Sequence, residues 1–185
     1  MKWIEALNLC KIENQDYWMI NPVGLILENS PRQKINFMGS GHEFFGFIDG
    51  SFLCQNDGTQ RAGIGGFVKD KHEMLVFIFS GLTKPKDAFD AEWETCKFLL
   101  EKFWEGRWRH ASILICSDNF TLIHLLAKMK AGLLDHDPTH ANSFRDKVLN
   151  LKVSFQSILR VLNVGADDLA VRGRSNTKII WSWCA

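Results

Sequence analysis

Hydrophobic and polar positions change their spacing several times along this chain. From residue 43 to residue 80, apolar residues stand in short runs separated by turn residues. The first run, about 43–53, holds Phe44, Phe45, Phe47, Ile48 and Phe52 and reads as a strand, and Gln55-Asn56-Asp57-Gly58 then makes a turn. A second strand is predicted over about 61–69 (RAGIGGFVK), where the glycines imply close approach of another backbone or a ligand. A third, about 73–80, sets Met74, Val76, Ile78 and Ser80 against Leu75, Phe77 and Phe79. Three strands joined by short turns form an antiparallel meander.

The period then lengthens. Ala88, Glu92, Cys96, Leu99 and Phe103 recur at three and four, which predicts a helix over about 87–105 with these residues on one face. Residues 111–117 (ASILICS) are a short apolar run of the kind buried on both faces of a sheet. A helix over about 119–130 follows, then Gly132, the polar link Asp135-His136-Asp137-Pro138 and a helix over about 139–150. A last strand, about 153–161, precedes a short helix from near Val164 to Gly173. Before all this, residues 1–42 carry Trp3, Ile4, Leu7 and Leu9 on one side of a short helix, and the turns Asn21-Pro22 and Ser30-Pro31. We read them as an arm laid on the domain. In the tail, 176–185, Ile179, Ile180, Trp181 and Trp183 pack on the sheet or form an interface.

Composition narrows the class. A chain of 185 residues fits one domain and can bury a sizeable core, and its 46% hydrophobic and 23% charged content is that of an ordinary globular protein. The formal net charge of +1 excludes nothing, since a cluster of buried acids would mask a basic surface. Five scattered cysteines without a CxxC pair suit reduced core thiols better than disulfides or zinc. No apolar run reaches the ~18 residues a membrane span needs, and Met1-Lys2-Trp3 does not open a signal peptide. The expectation is an intracellular protein, cytoplasmic or nuclear, with no membrane partner.

Candidate chemistry lies in four misplaced acids. Asp49 interrupts the apolar first strand, and a carboxylate there is costly to ionise unless something positive compensates it. Glu92 stands on the packed stripe of its helix, whereas Glu94, Lys97 and Glu101 point away. Asp118 follows the buried strand at its carboxyl end, where open α/β sheets place ligands, and Asp167 opens the last helix. Taken singly each has a plainer reading: a turn aspartate, a partner to a buried arginine, a helix cap, a complement to a helix dipole. Taken together they suit hard divalent cations, Mg²⁺ or Mn²⁺, of which a pair roughly 3.5–4 Å apart can activate water at a phosphodiester. Trp93, Trp104 and Trp108 read as packing residues or as a base-stacking platform. Arg107, Arg109 and His110, with Lys128 and Lys130, read as solvated helix ends or as contacts to a nucleic-acid backbone.

The order of these motifs resembles the ribonuclease H fold family, and within it the plant ribonuclease-H-like domain of retroelements and free-standing plant proteins. The matching residues are Asp49-Gly50-Ser51, AGIGG at 62–66, Ala91-Glu92, Ser117-Asp118, and Asn163-Val164-Gly165-Ala166-Asp167-Asp168-Leu169-Ala170, with Arg160 three residues ahead of Asn163. The resemblance covers about 43–175 and divides the chain into an arm (1–42), a ribonuclease-H-like domain (43–175) and a tail (176–185). It implies an α/β fold with a five-stranded mixed sheet in the order 3-2-1-4-5, strands 1–3 antiparallel, flanked by helices. It also implies hydrolysis of the RNA strand of an RNA–DNA hybrid, with Asp49, Glu92, Asp118 and Asp167 as catalytic residues holding two Mg²⁺ or Mn²⁺ ions. In that scheme Asp49 bridges both ions, Glu92 and Asp118 hold the one nearer the leaving group, and Asp167 holds the one that carries the attacking water. Gly50, Ser51 and Asn119 would contact the nucleic acid.

The chain departs from the plant pattern at one place. Ser157 stands where that family carries a histidine, and Ile158-Leu159-Arg160-Val161-Leu162 lacks its proline and glutamate. Such a histidine helps proton transfer or product release, so its loss implies slower turnover. Two functions therefore compete: an active hybrid-cleaving nuclease, and a weak or inactive domain that binds nucleic acid or a protein. A serine hydrolase of the α/β type is disfavoured, because no G-x-S-x-G elbow is present.

Overall fold

The computed structural model describes residues 40–134 and 142–184. Ten elements follow one another: β1 (Phe44–Cys54), β2 (Gln60–Asp70), β3 (Leu75–Thr83), α1 (Ala88–Glu105), β4 (Ser112–Ser117), α2 (Phe120–Lys130), α3 (Asn142–Asn150), β5 (Lys152–Ser157), α4 (Val164–Gly173) and β6 (Ile180–Trp183). A 3₁₀ turn at Arg160–Leu162 links β5 to α4. The strands make one sheet in the order β5-β4-β1-β2-β3-β6. The expected order 3-2-1-4-5 is contained in it, with β1, β2 and β3 antiparallel and β4 and β5 parallel to their neighbours. The arm read over 1–42 lies almost wholly outside the described residues.

Alternation along the strands sorts the core into two layers. On one face Phe44, Ile48, Ile64, Phe77 and Phe79 pack beneath α1, α2 and α3, around Leu99, Phe103, Leu126 and Phe144. On the other, Phe45, Phe47, Phe67, Ile78 and Leu114 meet Ala166 and Leu169 of α4. The tryptophans are packing residues. Trp93 is buried against Phe144, ring centroids 5.1 Å apart, and Trp108 lies 5.6 Å from Phe44. Arg109 and Arg107 cover Trp104 and Trp108 at 3.6 and 4.2 Å from the ring centroids, which occupies both guanidinium faces locally.

Three expectations need correction. The sheet has six strands rather than five, because the tail pairs antiparallel with β3 from Phe77↔Trp183 to Ser80↔Ile180. The fifth strand stops at Ser157 instead of running to 161. Its neighbour β4 ends at Ser117, so beyond Ser157 the ladder has no partner except the Ile158 N–H, which donates to the Ser117 carbonyl at 3.0 Å. The chain then turns, leaving Leu159 and Val161 exposed. Finally, Cys54, Cys96 and Cys116 are free thiols as expected, whereas Cys184 is disulfide-bonded.

The added strand is tied in by aromatic packing. Trp183 lies 4.2 Å from Phe77 and 4.5 Å from Trp108 between ring centroids, and Lys102 Nζ sits 4.7 Å over Trp181. Truncating a partly exposed tryptophan in such a cluster removes both apolar contact and ring–ring attraction. Trp183→Ala is expected to cost about 2 kcal/mol, seen as a lower urea midpoint with an unchanged slope. An unaltered midpoint would show that β6 hangs on its backbone ladder alone.

Candidate metal centre

The site forms where two parallel strands part. β4 runs alongside β1 only as far as Phe47↔Cys116, so from Ile48 onward β1 faces an opening at the carboxyl end of β4. Asp49 is the next residue. It is buried, on the same sheet face as Phe45 and Phe47, and opposite Gly65 of β2. The Asp49 carbonyl accepts from the buried Thr95 hydroxyl at 3.0 Å, and that hydroxyl also bonds the Ala91 carbonyl at 2.8 Å, joining β1 to α1.

Gly50 sets how close α1 comes. A Cβ at this position would stand 2.4 Å from Ala91 C and Glu92 N, a separation no side chain survives. The missing side chain thus lets the helix backbone rest on the strand and carries Glu92 to Asp49. Glu92 is buried, and its Oε2 has no hydrogen-bond partner. Asp118 comes from the loop between β4 and α2. That loop is held by the Asn119 N–H donating to Ser117 Oγ at 3.0 Å, and by Asn119 Oδ1 accepting from the Leu122 N–H at 3.0 Å as the cap of α2.

Asn163 is the brace that joins these parts. It is 1% exposed, and its Nδ2 donates to the Ile48 carbonyl at 2.9 Å and to Asp118 Oδ1 at 2.8 Å. The side-chain amide thus serves the carbonyl that β4 leaves behind and also fixes an acid from a third element. Sequence reading quoted Asn163 only as a motif letter. Nothing local marks its role, because its partners lie 115 and 45 residues away. Asn163→Ala is expected to lower stability by about 2 kcal/mol, since it strands a buried carbonyl and releases a carboxylate. Thermal melting checks this; no shift would mean that the amide is a bystander.

Asp167, in the first turn of α4, accepts from Arg160 Nη2 at 3.2 Å. Asp168 is turned away and pairs with Arg172 one turn on. The four sequence-predicted acids come from β1, α1, the β4–α2 loop and α4, and Glu92, Asp118 and Asp167 all act electrostatically on Asp49. Burial pushes the Asp49 carboxyl up to about 9, with Glu92, Asp118 and Asp167 adding repulsion and Arg160 opposing it. Burial also pushes Glu92 up, to about 8, reinforced by Asp118 and opposed by the Gly50 amide and the Asn119 side chain. Among the described residues no arginine answers Glu92, so its plainer reading finds no support.

Among the described residues, no group of three or more His, Cys, Asp or Glu side chains stands in metal-holding geometry. The reason is visible in the hydrogen bonds. Asp118 is drawn to Asn163 and Asp167 to Arg160, while Asp49 and Glu92 are left uncompensated. The donor set still fits a hard divalent cation: carboxylate oxygens only, an orphaned buried Oε2, and two carboxyls that burial pushes up in spite of the protein groups opposing it. Gly50 and Ser51 lie on β1 beside Asp49, partly exposed, and Asn119 is partly exposed next to Asp118. Ser157, at the position of the expected histidine, is exposed at the end of β5.

No protein-family profile matches the chain, and no curated protein sequence matches it. Solved structures do. RNase H1 from the halophilic archaeon Halobacterium salinarum is 18% identical, with a TM-score of 0.52 over 70% of this chain and 96% of that one. LC11-RNase H1, isolated from compost by a metagenomic approach, is 19% identical, with a TM-score of 0.57 over 72% of this chain and 96% of that one. A foamy viral protease-reverse transcriptase in complex with RNA/DNA hybrid is 14% identical, with a TM-score of 0.58 over 72% of this chain. The match spans about a fifth of the viral protein, 20% of its length. The fold is ribonuclease H-like.

Proposed function

We propose that this chain is a divalent-metal-dependent endoribonuclease that hydrolyses the RNA strand of RNA–DNA hybrids. The observation that carries this reading is the buried pair Asp49 and Glu92 at the parting of β1 and β4, with the partly buried Asp118 and Asp167 acting on Asp49. A pair of carboxyls pushed up by burial and by neighbouring acids is a poor structural device and a good receptor for positive charge. Similar structures of an RNase H1 and of a foamy viral reverse transcriptase hold an RNA/DNA hybrid, which supports the substrate class.

In this scheme Asp49, Glu92, Asp118 and Asp167 hold two Mg²⁺ or Mn²⁺ ions, which supply an activated water and charge neutralisation at the scissile phosphate. Asp49 has the central place, because its strand lies between the elements that bring the others. Asn163 keeps Asp118 at the rim. The Arg160 guanidinium, on Asp167 Oδ1, would compete with a cation for that acid. Gly50, Ser51 and Asn119 border the acids with exposed polar groups and are placed to touch the sugar–phosphate backbone.

A second reading draws on Ser157 and on the ties to Asp118 and Asp167. A domain whose outer acids already have protein partners, and which lacks the histidine, would bind nucleic acid without cutting it. One assay separates the two. A labelled RNA–DNA hybrid is incubated with Mg²⁺, then Mn²⁺, alongside Asp49→Asn protein. Metal-dependent cleavage confined to the unmutated chain supports the nuclease. Binding without cleavage, indifferent to the mutation, supports the second reading.

A further inference from the structure

The acid cluster is bordered by a surface that the cleavage scheme leaves unused. Phe120, two residues after Asp118, is 68% exposed, an unusual state for a large apolar ring. Its ring lies parallel to the His124 imidazole, centroids 5.8 Å apart and 10° between planes. The outward face of α2 continues with Thr121, His124, Ala127 and Lys128, all exposed and spaced by helical turns. The helix, FTLIHLLAKMK, contains no acid. Lys130 is already engaged, donating to the Val148, Leu149 and Leu151 carbonyls, so Lys128 is the outward-facing ammonium of this helix. Across the gap, the parallel register Ser117↔Ser157 brings Leu159, 66% exposed, to the same carboxyl edge of the sheet.

We infer that the Phe120–His124–Lys128 face of α2 binds single-stranded nucleic acid, stacking an unpaired base on the Phe120 ring next to the acids. The inference rests on the nuclease reading for its position beside a cleavage site, and on the geometry of α2 for its ligand. An exposed, flat aromatic pair offers a π-face, and a base in a duplex has none to give because its faces are already stacked. Duplex recognition would call for donors to backbone and groove edges instead. Lys128 lies eight residues beyond Phe120, about 12 Å along the helix axis. Its ammonium therefore meets a phosphate beyond the stacked nucleotide, which aligns the strand with α2. No carboxylate on α2 itself repels a strand along that path. A substrate with unpaired nucleotides flanking the scissile bond, such as a hybrid junction or overhang, then fits better than an uninterrupted duplex.

The test uses the full chain in EDTA, where no cleavage competes. Anisotropy of a labelled single-stranded RNA of about 12 nucleotides, and of a blunt hybrid of the same length, is measured for Phe120→Ala, Phe120→Trp and Lys128→Ala. Phe120→Ala should weaken single-strand binding about ten-fold, Phe120→Trp should restore it, and Lys128→Ala should lower the salt slope by about one. Hybrid binding should change far less. Equal losses on both ligands, or no loss on the single strand, overturn the inference. So does a dimer that Phe120→Ala converts to monomer with single-strand affinity intact, since the ring then serves a second copy of the chain. Metal-dependent cleavage decides the nuclease reading separately: Phe120-dependent binding without cleavage keeps this surface and removes the enzyme, and the converse keeps the enzyme alone.

Discussion

Replacing Asp49 by asparagine is expected to abolish cleavage, by at least roughly 10²-fold, and to make the metal-free protein more stable. The opposite signs follow from one cause. The Asp49 carboxyl rises from 3.8 to about 9 in the folded chain, through burial first and then through Glu92, Asp118 and Asp167. A raised carboxyl holds in the native state a proton that the unfolded chain has released. Its stabilising contribution is therefore complete below the unfolded value and declines as pH rises towards the folded one. Asparagine keeps the shape and removes the ionisation. The variant should gain roughly 1–3 kcal/mol near pH 8, or about 3–8 °C in melting temperature, and the gain should shrink near pH 5. Added Mn²⁺ should reverse the ranking, since it stabilises only the chain that binds it. Melting curves of both proteins across pH, with and without Mn²⁺, check this. A variant no more stable than its parent at pH 8 would mean that the carboxyl is not strained.

The largest loss of stability is expected from Gly65→Ala. A Cβ there would stand 2.1 Å from Ala170 N and 2.4 Å from Leu169 C, so α4 would have to lift off β2. Lifting it stretches the bond from the Ser80 hydroxyl to the Leu169 carbonyl, now 2.7 Å, and displaces Asp167 on the same helix. Backbone cannot yield as a flexible side chain can, and we expect a cost of about 3 kcal/mol or more. Gly58→Ala is the comparison. Gly58 has a φ of +80° with nothing within 4 Å of a built Cβ, so only backbone strain of about 1 kcal/mol applies. Chemical denaturation of both variants checks the contrast. Similar midpoints for the two would show that α4 does not depend on the bare strand beneath it.

Much of this architecture was readable from spacing alone. The alternation of Val76, Phe77, Ile78 and Phe79, and the three-and-four recurrence of Cys96, Leu99 and Phe103, each follow from a single face meeting a single core layer. The glycines of β2 announced a close backbone, and α4 is that backbone. The misses have physical reasons too. Val161 and Leu162 prolong the apolar run of β5, but a strand ends with its neighbour, and β4 stops at Ser117. Ile180–Trp183 is too short to show a period, and its place beside Phe77 is decided by ring packing from α1 and the loop after it. Asp49 and Glu92 were visible as acids in apolar places. Asn163 as a brace and Arg160 as the partner of Asp167 were not, because polar contacts between distant segments leave no periodic trace.

The tail strand has a consequence for assembly. By lying along β3 it replaces a nine-residue border of the sheet with a four-residue one, β6, while the six-residue β5 remains as the other border. Among the described residues the longer free border is then β5, which offers a foreign strand the longer ladder alongside the chain segment that leads to Arg160 and Asn163. A partner added by strand extension would dock within reach of the acids, and its arrival would be felt there first.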